Sequence, residues 1–570
     1  MIKIKIILTI IFFPLLLCAQ IKNDTLRSTL GAETDHEFDK ESKIGLFYPD
    51  SMQVENLIIL CKVWGFLKYY HPAIATGKYN WDYELFRIMP RVLNCKNRND
   101  CVKTLSAWIE ELGDFRVEPY KIPDSTEVKL KPNLNWINKN YLSNTLASKL
   151  NLIKDAKRSN DNYYLHSTLK YYFENEKAYK QMQYEDEGYR LLCLFRFWNM
   201  IEYCYPYKNL IEEDWDSVLK RYVIEFIKNA SENTYKKTIL SLIAKIHDSH
   251  ANISGIIYNY MTKLPPIEIS FIEGKTVVTG YLDTTILGKS SGFLKGDIIE
   301  KIDGKTVYEL VNEMVDYIPA SNNNTLLRDV KYRLIGTTKD SMEFEYRRGS
   351  SLINRKVKCY KANNYRRLKK EIDTCFKWIG DVAYLYPGLI KENNSKELIS
   401  QLAKSKGLII DFRCYPASSF FFDLCKFLLP EKTHFAKSSN NIIKMPGLFI
   451  MNYTQEIGKK NTDYYKGKVV IIVNEKTQSA AEYQVMAIQR APNVVVIGSQ
   501  TAGADGNVVR FNLPGGINAL YSGLGIYYSD GRETQRIGIV PNIEVKPTIK
   551  GVLEDRDELL EKAIELINQK

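Results

Sequence analysis

The chain has 570 residues, of which 45% are hydrophobic and 26% are charged, and its formal net charge is +12. This balance is typical of folded proteins with buried apolar cores, and the length predicts three or four domains rather than one. Because lysines and acidic residues are interspersed along the chain without a long basic block, the composition argues against a nucleic-acid-binding protein.

The first 20 residues predict an export signal. Two lysines precede an apolar run that ends in small or polar residues, and this run is short for a membrane anchor. We expect cleavage after Ala19 or Gln20 and a location in the periplasm or outside the cell, with or without attachment to a membrane surface. Cys18 raises the alternative of a lipid-anchored cysteine, but Leu17 stands where such a signal needs a small residue. No later segment predicts a stable membrane span.

Nine cysteines remain beyond the signal, an odd number that argues against a disulfide-rich scaffold. Cys95 and Cys101 flank a polar loop, and they could pair in an oxidising compartment. The sequence has no C-x-x-C or H-E-x-x-H motif and only six histidines. We therefore expect no metal site and no cofactor.

Residues 21–51 are polar and predict a leader, and residues 52–255 predict a helical domain with an internal duplication. Five residues of the first copy, at about 52–120, recur at one constant offset in the second copy, at about 186–255. The matching sets are Trp64, Tyr69, Pro72, Trp81 and Asp82, and Trp198, Tyr203, Pro206, Trp215 and Asp216. Aromatic residues at this helical spacing predict a core. The alternative is a surface that binds glycans or apolar ligands.

The two copies end in related but different motifs. The first ends at residues 112–116 with Leu-Gly-Asp-Phe-Arg, and the second ends at residues 246–250 with Ile-His-Asp-Ser-His. The aspartate is kept, whereas the arginine is replaced by His250. Packing does not obviously require this change but proton transfer would, so His250 is a candidate general base. The alternative is a structural histidine.

Two further regions have different patterns. Residues 262–362 contain short alternating strands with Gly-Asp and Asp-Gly turns, which predict a small β-rich module. Residues 370–550 alternate strands with helices, which predicts a mostly parallel sheet covered by helices. Its strands are expected at 382–386, 408–412, 469–473 and 494–497, with helices at about 394–404 and 479–490. Residues 551–570 predict a C-terminal helix.

Ser479 stands where one of these strands turns into a helix. The β-branched run at 469–473 predicts a buried strand, and the helix begins at Ser479. The first N–H groups of a helix can stabilise negative charge, so a serine at this position could act as a nucleophile beside its own oxyanion donors. The alternative is that Ser479 only caps the helix.

Several motifs, in this order, resemble those of the C-terminal processing and tricorn-core serine peptidases. They lie at residues 248–250, 408–413, 477–482, 498–503 and 538–543, and the stretch 294–304 resembles a PDZ domain of that family. The resemblance covers roughly residues 240–546. It implies a multidomain α+β chain in which a duplicated helical region and a PDZ-like module precede an α/β catalytic domain of the ClpP/crotonase-like type.

The family uses either a serine–lysine or a serine–histidine mechanism. The lysine that would follow the Thr-Ala-Gly turn at 501–503 is missing, so the resemblance implies the serine–histidine type. His250 would then take the proton from Ser479, and Ser249 together with a carboxylate would orient the imidazole. That carboxylate is expected at Glu533, although the family pattern could equally place the position at Gln535.

The resemblance also implies an oxyanion hole built from the N–H groups of Ala480 and Ala417. The segment 414–418 has alanine and serine where the family has glycines, which would hinder substrate approach if glycine is required there. The expected function is an exported serine endopeptidase that acts on polypeptides. The alternative is an inert relative that captures peptides at the PDZ-like module, where Leu294 and Gly296 are the expected peptide-binding residues. The oligomeric state stays open.

Overall fold

The computed structural model describes residues 30–569 except 46, 255–261, 283–289, 362–373, 392–394, 418–419 and 453. The predicted signal peptide therefore lies outside the described residues. Within the ranges just given, no helix combines the length and the apolar character that crossing a bilayer would require.

The first part of the chain is a bundle of helices around two long central ones. Its helices are Gly31–Thr34, Ser51–Tyr70, Pro72–Ala75, Trp81–Leu93, Arg98–Glu110, Asn144–Lys154, Glu187–Cys204, Trp215–Lys228 and Glu232–Ala244. The central helices, Ser51–Tyr70 and Glu187–Cys204, are buried along most of their length. They approach closely at Gly65, where a Cβ would lie 1.9 Å from the Asn199 side chain. Glycine is therefore required at this crossing.

The duplicated tryptophans make the same contacts in both copies. The indole N–H of Trp64 donates to the carbonyl of Trp81 at 2.8 Å, and Trp81 returns the bond at 2.9 Å. Trp198 and Trp215 repeat this exchange at 2.8 and 3.1 Å. All four rings are buried in the core. This burial removes the surface that a glycan-binding role for these residues would need.

A buried cluster of four charges joins the two copies to the segment between them. Glu176, from that segment, pairs with Lys68 at 2.6 Å and with Arg196 at 2.8 Å. Asp82 pairs with Arg196 at 2.6 Å, and all four side chains are at most 5% exposed. Because two positive charges balance two negative ones, the cluster can be buried without an uncompensated charge.

The helical bundle and the end of the chain share one core. The strand Asn252–Ser254 pairs with Ile517–Ser522, which in turn pairs with Val508–Leu513. Apolar side chains of these later strands pack with those of the helices in a single cluster. The segment between the helical copies adds the strand Val128–Leu130, which pairs with Phe449–Met451. Residues distant in sequence are thereby held rigidly beside one another.

The middle of the chain folds around an antiparallel sheet with a core of its own. The strand order across this sheet is Ser351–Lys358, Ser341–Arg348, Ile298–Ile302, Lys275–Gly280 and Glu268–Ile272. Two helices, Val307–Met314 and Asn323–Leu334, pack on it. The sequence prediction of a β-rich module missed both helices, although each begins with a capping box.

The last part of the chain is built on a mostly parallel sheet of six strands. In order these are Phe376–Ile379, Val382–Leu385, Gly407–Asp411, Lys468–Val473, Val494–Gly498 and Ile543–Glu544, and only the first pair is antiparallel. The covering helices are Ser395–Leu402, Phe421–Leu428, Ala480–Ile488, Ile549–Leu553 and Glu558–Asn568. A smaller sheet joins Thr433–Asn441 to Phe449–Met451, Gln455–Ile457 and Ile526–Tyr528.

Cys95 and Cys101 are not joined in a disulfide. Both thiols are free, and Sγ of Cys95 instead donates to the carbonyl of Arg91 at 3.2 Å. Cys101 is fully buried on the helix Arg98–Glu110. The pairing considered from their spacing is therefore not formed.

Candidate active site

Ser479 occupies a sharp turn between the strand Lys468–Val473 and the helix Ala480–Ile488. Its backbone has φ 61° and ψ −124°, a conformation that costs a non-glycine residue free energy. The turn is held by the N–H of Ser479, which donates to the carbonyl of Ala504 at 2.9 Å and to the carboxylate of Glu482 at 3.2 Å. The serine is thus fixed by its surroundings rather than by local preference.

Glu482 ties two of the sequence motifs together. This buried carboxylate accepts hydrogen bonds from the hydroxyl of Thr501, from the N–H of Gly503 at 2.7 Å and from the N–H of Ala504 at 3.1 Å. Burial raises the pKa of the Glu482 carboxyl above its usual value, and these hydrogen bonds oppose the rise. The loop carrying Ser479 is therefore anchored to the loop at 501–504.

Gly538 packs tightly against the two residues, Thr501 and Glu482, that hold the loop of Ser479. At Gly538, which has φ 63°, a Cβ would lie 2.3 Å from Oγ1 of Thr501 and 2.4 Å from Oε1 of Glu482. Asp505 is buried in the same region, and burial together with the charge of Glu482 raises the pKa of its carboxyl well above its usual value. Asp505 is not among the described residues that line the pocket containing Ser479, so its carboxyl does not face a ligand there.

His250 is held by a short chain of hydrogen bonds. Its Nδ1 lies 2.9 Å from Oγ of Ser522, and that hydroxyl donates to Oδ1 of Asp248 at 2.9 Å. The backbone N–H groups of Ser522 and His250 also donate to Asp248, at 2.7 and 3.0 Å. Asp248 and Ser522 are fully buried. The imidazole is therefore oriented by Ser522 and, through it, by Asp248.

These hydrogen bonds determine which ring nitrogen of His250 carries the proton. An ionised carboxylate only accepts hydrogen bonds, so the hydroxyl proton of Ser522 points to Asp248 and its oxygen accepts from Nδ1–H. The proton on Nδ1 leaves Nε2 with a free lone pair, which is the form a general base needs. Burial lowers the pKa of His250 below its usual 6.5, Asp248 opposes this shift, and Arg328 adds to it.

Ser479 and His250 line the same pocket, which has a volume of about 600 Å³. Gln478 connects the segments that carry them, because its Nε2 donates to the carbonyl of Ser249 at 3.2 Å. Arg328 holds the other end of this amide, donating to its Oε1 at 2.8 Å. No hydrogen bond joins the Ser479 hydroxyl to the His250 ring among the described residues. Such bonds are often long in a resting enzyme.

Among the described residues, the hydroxyl of Ser249 forms no hydrogen bond with the imidazole that it was predicted to orient. Its hydroxyl donates to Oγ1 of Thr325 at 3.1 Å and accepts from the N–H of Ser321 at 2.8 Å. Its own N–H donates to Oγ of Ser321 at 2.8 Å. Because all these partners belong to the middle module, Ser249 fastens the His250 segment to that module. The imidazole is oriented by Ser522 instead.

Neither candidate for the supporting carboxylate is placed beside His250. Glu533 forms an ion pair with Lys129 at 2.5 Å, on the side that faces the strand Val128–Leu130. Gln535 is buried, and neither its amide oxygen nor its nitrogen has a hydrogen-bond partner within the described part of the chain. The acidic partner that reaches the imidazole, through Ser522, is Asp248.

The two predicted oxyanion donors differ in the structure. Ala480 is the first residue of its helix, and across the described ranges its N–H meets no acceptor. The N–H of Ala417 donates to the carbonyl of Pro387 at 3.0 Å and is therefore already used. Ser418, which was considered in the same segment, lies outside the described residues. Of the two predicted donors, only the N–H of Ala480 is unoccupied among the described residues.

The predicted peptide-binding residues lie in a tight turn of the middle module. Leu294 is 52% exposed, and its N–H donates to the carboxylate of Asp297 at 2.7 Å. Gly296 has φ 85°, and a Cβ there would lie 2.4 Å from the side chain of Leu553. Leu294 thus remains accessible, whereas Gly296 packs against the C-terminal segment.

Five residues of the site escaped the sequence analysis as functional side chains: Asp248, Ser522, Lys170, Lys476 and Arg510. Asp248 had a signal, since it is kept in both copies of the duplication. The others are single residues in unrelated segments, so no local pattern identifies them.

Within the described residues, no group of three or more His, Cys, Asp or Glu residues could hold a metal ion.

Comparison with known proteins relates the segment that carries Ser479 to a peptidase family. Residues 388–545 match the model of peptidase family S41, whereas no curated protein sequence matches the chain. Among solved structures, mature CPAF complexed with lactacystin is similar with a TM-score of 0.53 and 12% identity, covering 67% of this chain and 98% of that chain. Mature CPAF is similar with a TM-score of 0.52 and 12% identity, over 67% and 96%. The resemblance to the C-terminal processing and tricorn-core peptidases is thereby confirmed, with the match to peptidase family S41 extending over residues 388–545.

Proposed function

We propose that this serine-type peptidase hydrolyses peptide bonds through an acyl-enzyme on Ser479, with His250 as the general base. The observation that carries the proposal is that the two residues, held by different parts of the chain, line one pocket. The tautomer of His250 supports it, because Ser522 accepts from Nδ1 and leaves Nε2 as the basic nitrogen. The substrate would be a polypeptide.

The residues suggest a sequence of two half-reactions. Nε2 of His250 would take the proton of the Ser479 hydroxyl as its oxygen attacks the carbonyl carbon of the substrate. The N–H of Ala480 would stabilise the developing oxyanion, and the imidazolium would pass its proton to the leaving amine. A water molecule, activated by the same imidazole, would then release the acyl group.

Because the N–H of Ala417 already donates to the carbonyl of Pro387, we expect a slow enzyme rather than an inactive one. Loss of one oxyanion donor costs about 2.7–4 kcal/mol of transition-state stabilisation. The proton transfer between Ser479 and His250 does not depend on that donor. The middle module has a six-stranded sheet, including the short strand Lys305–Thr306, and the two helices described above. It is proposed to be PDZ-like and to present polypeptide to the pocket by strand addition. Export by the N-terminal signal belongs to the same proposal.

Labelling with a fluorophosphonate tests this function directly. We expect the folded protein to be labelled at Ser479 and nowhere else, because only a serine beside a general base reacts readily. The labelled peptide is identified by mass spectrometry, and Ser479→Ala and heat-unfolded protein serve as controls. Folded protein that stays unlabelled would contradict catalysis and would favour the alternative of a peptide-binding relative.

The pH dependence of hydrolysis follows from the environment of His250. Only the neutral imidazole is a base, and burial holds its pKa below 6.5, so the acid limb of kcat/KM is expected below pH 6.5. Because Arg328 contributes to the lowered pKa, Arg328→Gln should shift this limb to higher pH. The exposed Arg532, which pairs with Asp530, provides the control variant Arg532→Gln. An unshifted limb in Arg328→Gln would contradict this account.

The same shift has a consequence for stability. The imidazole accepts a proton less readily in the folded state than in the unfolded one, so its contribution to the free energy of unfolding is present above pH 6.5. It is lost as the pH falls from 6.5 through the folded-state pKa. The measurement is a calorimetric pH series that compares Ser479→Ala with Ser479→Ala combined with His250→Ala. The difference between the two variants cancels the contributions of other buried histidines, such as His71, whose pKa burial lowers to about 4.

A further inference from the structure

Three cationic side chains, Lys170, Lys476 and Arg510, line the pocket around Ser479. Among the residues that the structure describes, no aspartate or glutamate lines this pocket. None of the three forms an ion pair with any residue in the described ranges. Lys170 is half-buried and donates to the carbonyl of Val508, whereas Lys476 and Arg510 are exposed. The pocket therefore carries positive charge that the protein itself does not neutralise.

The three cations come from separate elements. Lys170 lies in the hairpin between His166–Ser167 and Tyr171–Tyr172, which belongs to the segment between the helical copies. Lys476 precedes the nucleophile in the loop after Lys468–Val473, and Arg510 lies on another strand. Their convergence is produced by tertiary packing, in which the helical part contributes a residue to the pocket wall.

Bringing these charges together is unfavourable without an anion. Burial and the neighbouring Arg510 lower the pKa of Lys170, which reflects repulsion between the two side chains. Asp505, which directly precedes the lining residue Gly506, is buried and is not among the described residues that line the pocket. A cleft lined by one sign of charge raises the local concentration of ligands of the opposite sign. We therefore expect the substrate to supply the negative charge that balances these cations.

We propose that the pocket at Ser479 binds a carboxylate of the polypeptide substrate close to the scissile bond. The carboxylate belongs either to an acidic side chain or to the free chain terminus. Arg510 can bind it through paired N–H groups, and Lys170 and Lys476 attract it as point charges. This inference rests on the proposed function for its substrate class, but its test does not depend on catalysis.

Binding to the full-length Ser479→Ala variant tests the inference without hydrolysis. The probes are short fluorescent alanine-rich peptides with two central glutamates, or with two glutamines, each made with a free or an amidated C-terminus. We expect the glutamate peptide, or the peptide with the free terminus, to bind at least about tenfold more tightly than its neutral counterpart, which corresponds to about 1.4 kcal/mol. A difference between the glutamate and glutamine peptides assigns the carboxylate to a side chain. A difference between the free and amidated peptides assigns it to the chain terminus.

The cations are then removed in the same background. Adding Lys476→Gln and Arg510→Gln should abolish the preference for the charged peptide, and raising the salt concentration should weaken it. Lys459→Gln with Lys460→Gln is the matched control, because both are exposed lysines outside the pocket without an ion pair in the described chain. Circular dichroism checks that all variants fold. Equal affinity for glutamate and glutamine peptides, with no effect of amidation, would overturn the inference.

Activity provides an independent comparison if labelling at Ser479 succeeds. Lys476→Glu with Arg510→Glu should lower kcat/KM for the glutamate peptide and raise it for a lysine peptide of the same length. Lys459→Glu with Lys460→Glu, which changes the surface charge by the same amount outside the pocket, should alter neither. Failed labelling with intact carboxylate binding would reject catalysis but keep the pocket assignment, whereas the reverse result would reject the pocket assignment alone.

Discussion

Replacing His250 with alanine is expected to lower kcat for peptide hydrolysis by about 10⁶-fold, the loss that removing the equivalent base causes in subtilisin. Without Nε2, the Ser479 hydroxyl keeps its proton and is a weak nucleophile. The fold should survive, because the backbone N–H of residue 250 still donates to Asp248. The measurement is kcat and KM on a peptide pool, with thermal unfolding as the check on folding.

His434 provides the matched control for this substitution. It is an exposed histidine that lies 3.4 Å from Glu456, so His434→Ala should hydrolyse peptides like the unmodified protein. The double variant His250→Ala with Ser479→Ala should be no slower than either single variant, because the two residues act as one unit. Near-normal hydrolysis by His250→Ala would assign the base to another residue and reject the mechanism.

The parallel sheet could be predicted because its strands are continuous apolar runs. Val469 to Val473 are buried on both faces of the sheet, so the run itself identifies a central strand. The same run predicted the strand-to-helix turn at Ser479. The helices of the middle module were missed, although Thr306 and Glu309 form a capping box that the sequence displays.

The orienting groups of the base could not be predicted in the same way. His250 was predicted because the duplication compares it with an arginine in the other copy. Ser522 shows no local signal, since its approach to Asp248 is created by pairing between Asn252–Ser254 and Ile517–Ser522. The family resemblance implied that Ser249 supports the imidazole, whereas the described contact is made by Ser522 from another strand. The grouping of positive charges at the pocket also results from tertiary packing, so no local sequence pattern predicts it.

Asp248→Asn is expected to reduce kcat by about 10⁴-fold with little change in KM, as the corresponding asparagine does in the serine–histidine–aspartate triad. The N–H of Ser522 needs an acceptor, so the carbonyl oxygen of the asparagine would take the place of Oδ2. Its NH₂ group would then face the Ser522 hydroxyl and donate to it. The hydroxyl proton would turn towards Nδ1 of His250 and force the proton onto Nε2, the wrong tautomer for a base.

Two variants separate this tautomer effect from a general loss of stability. Ser522→Ala removes the hydroxyl without imposing the wrong tautomer, so its kcat should fall less than that of Asp248→Asn. Asp114→Asn changes the matching aspartate of the first helical copy, which is exposed, and should leave kcat and thermal unfolding unchanged. If Asp248→Asn kept normal kcat while folded, the chain from Asp248 through Ser522 would not control the imidazole. In that case the protonation state of His250 would be set by the substrate.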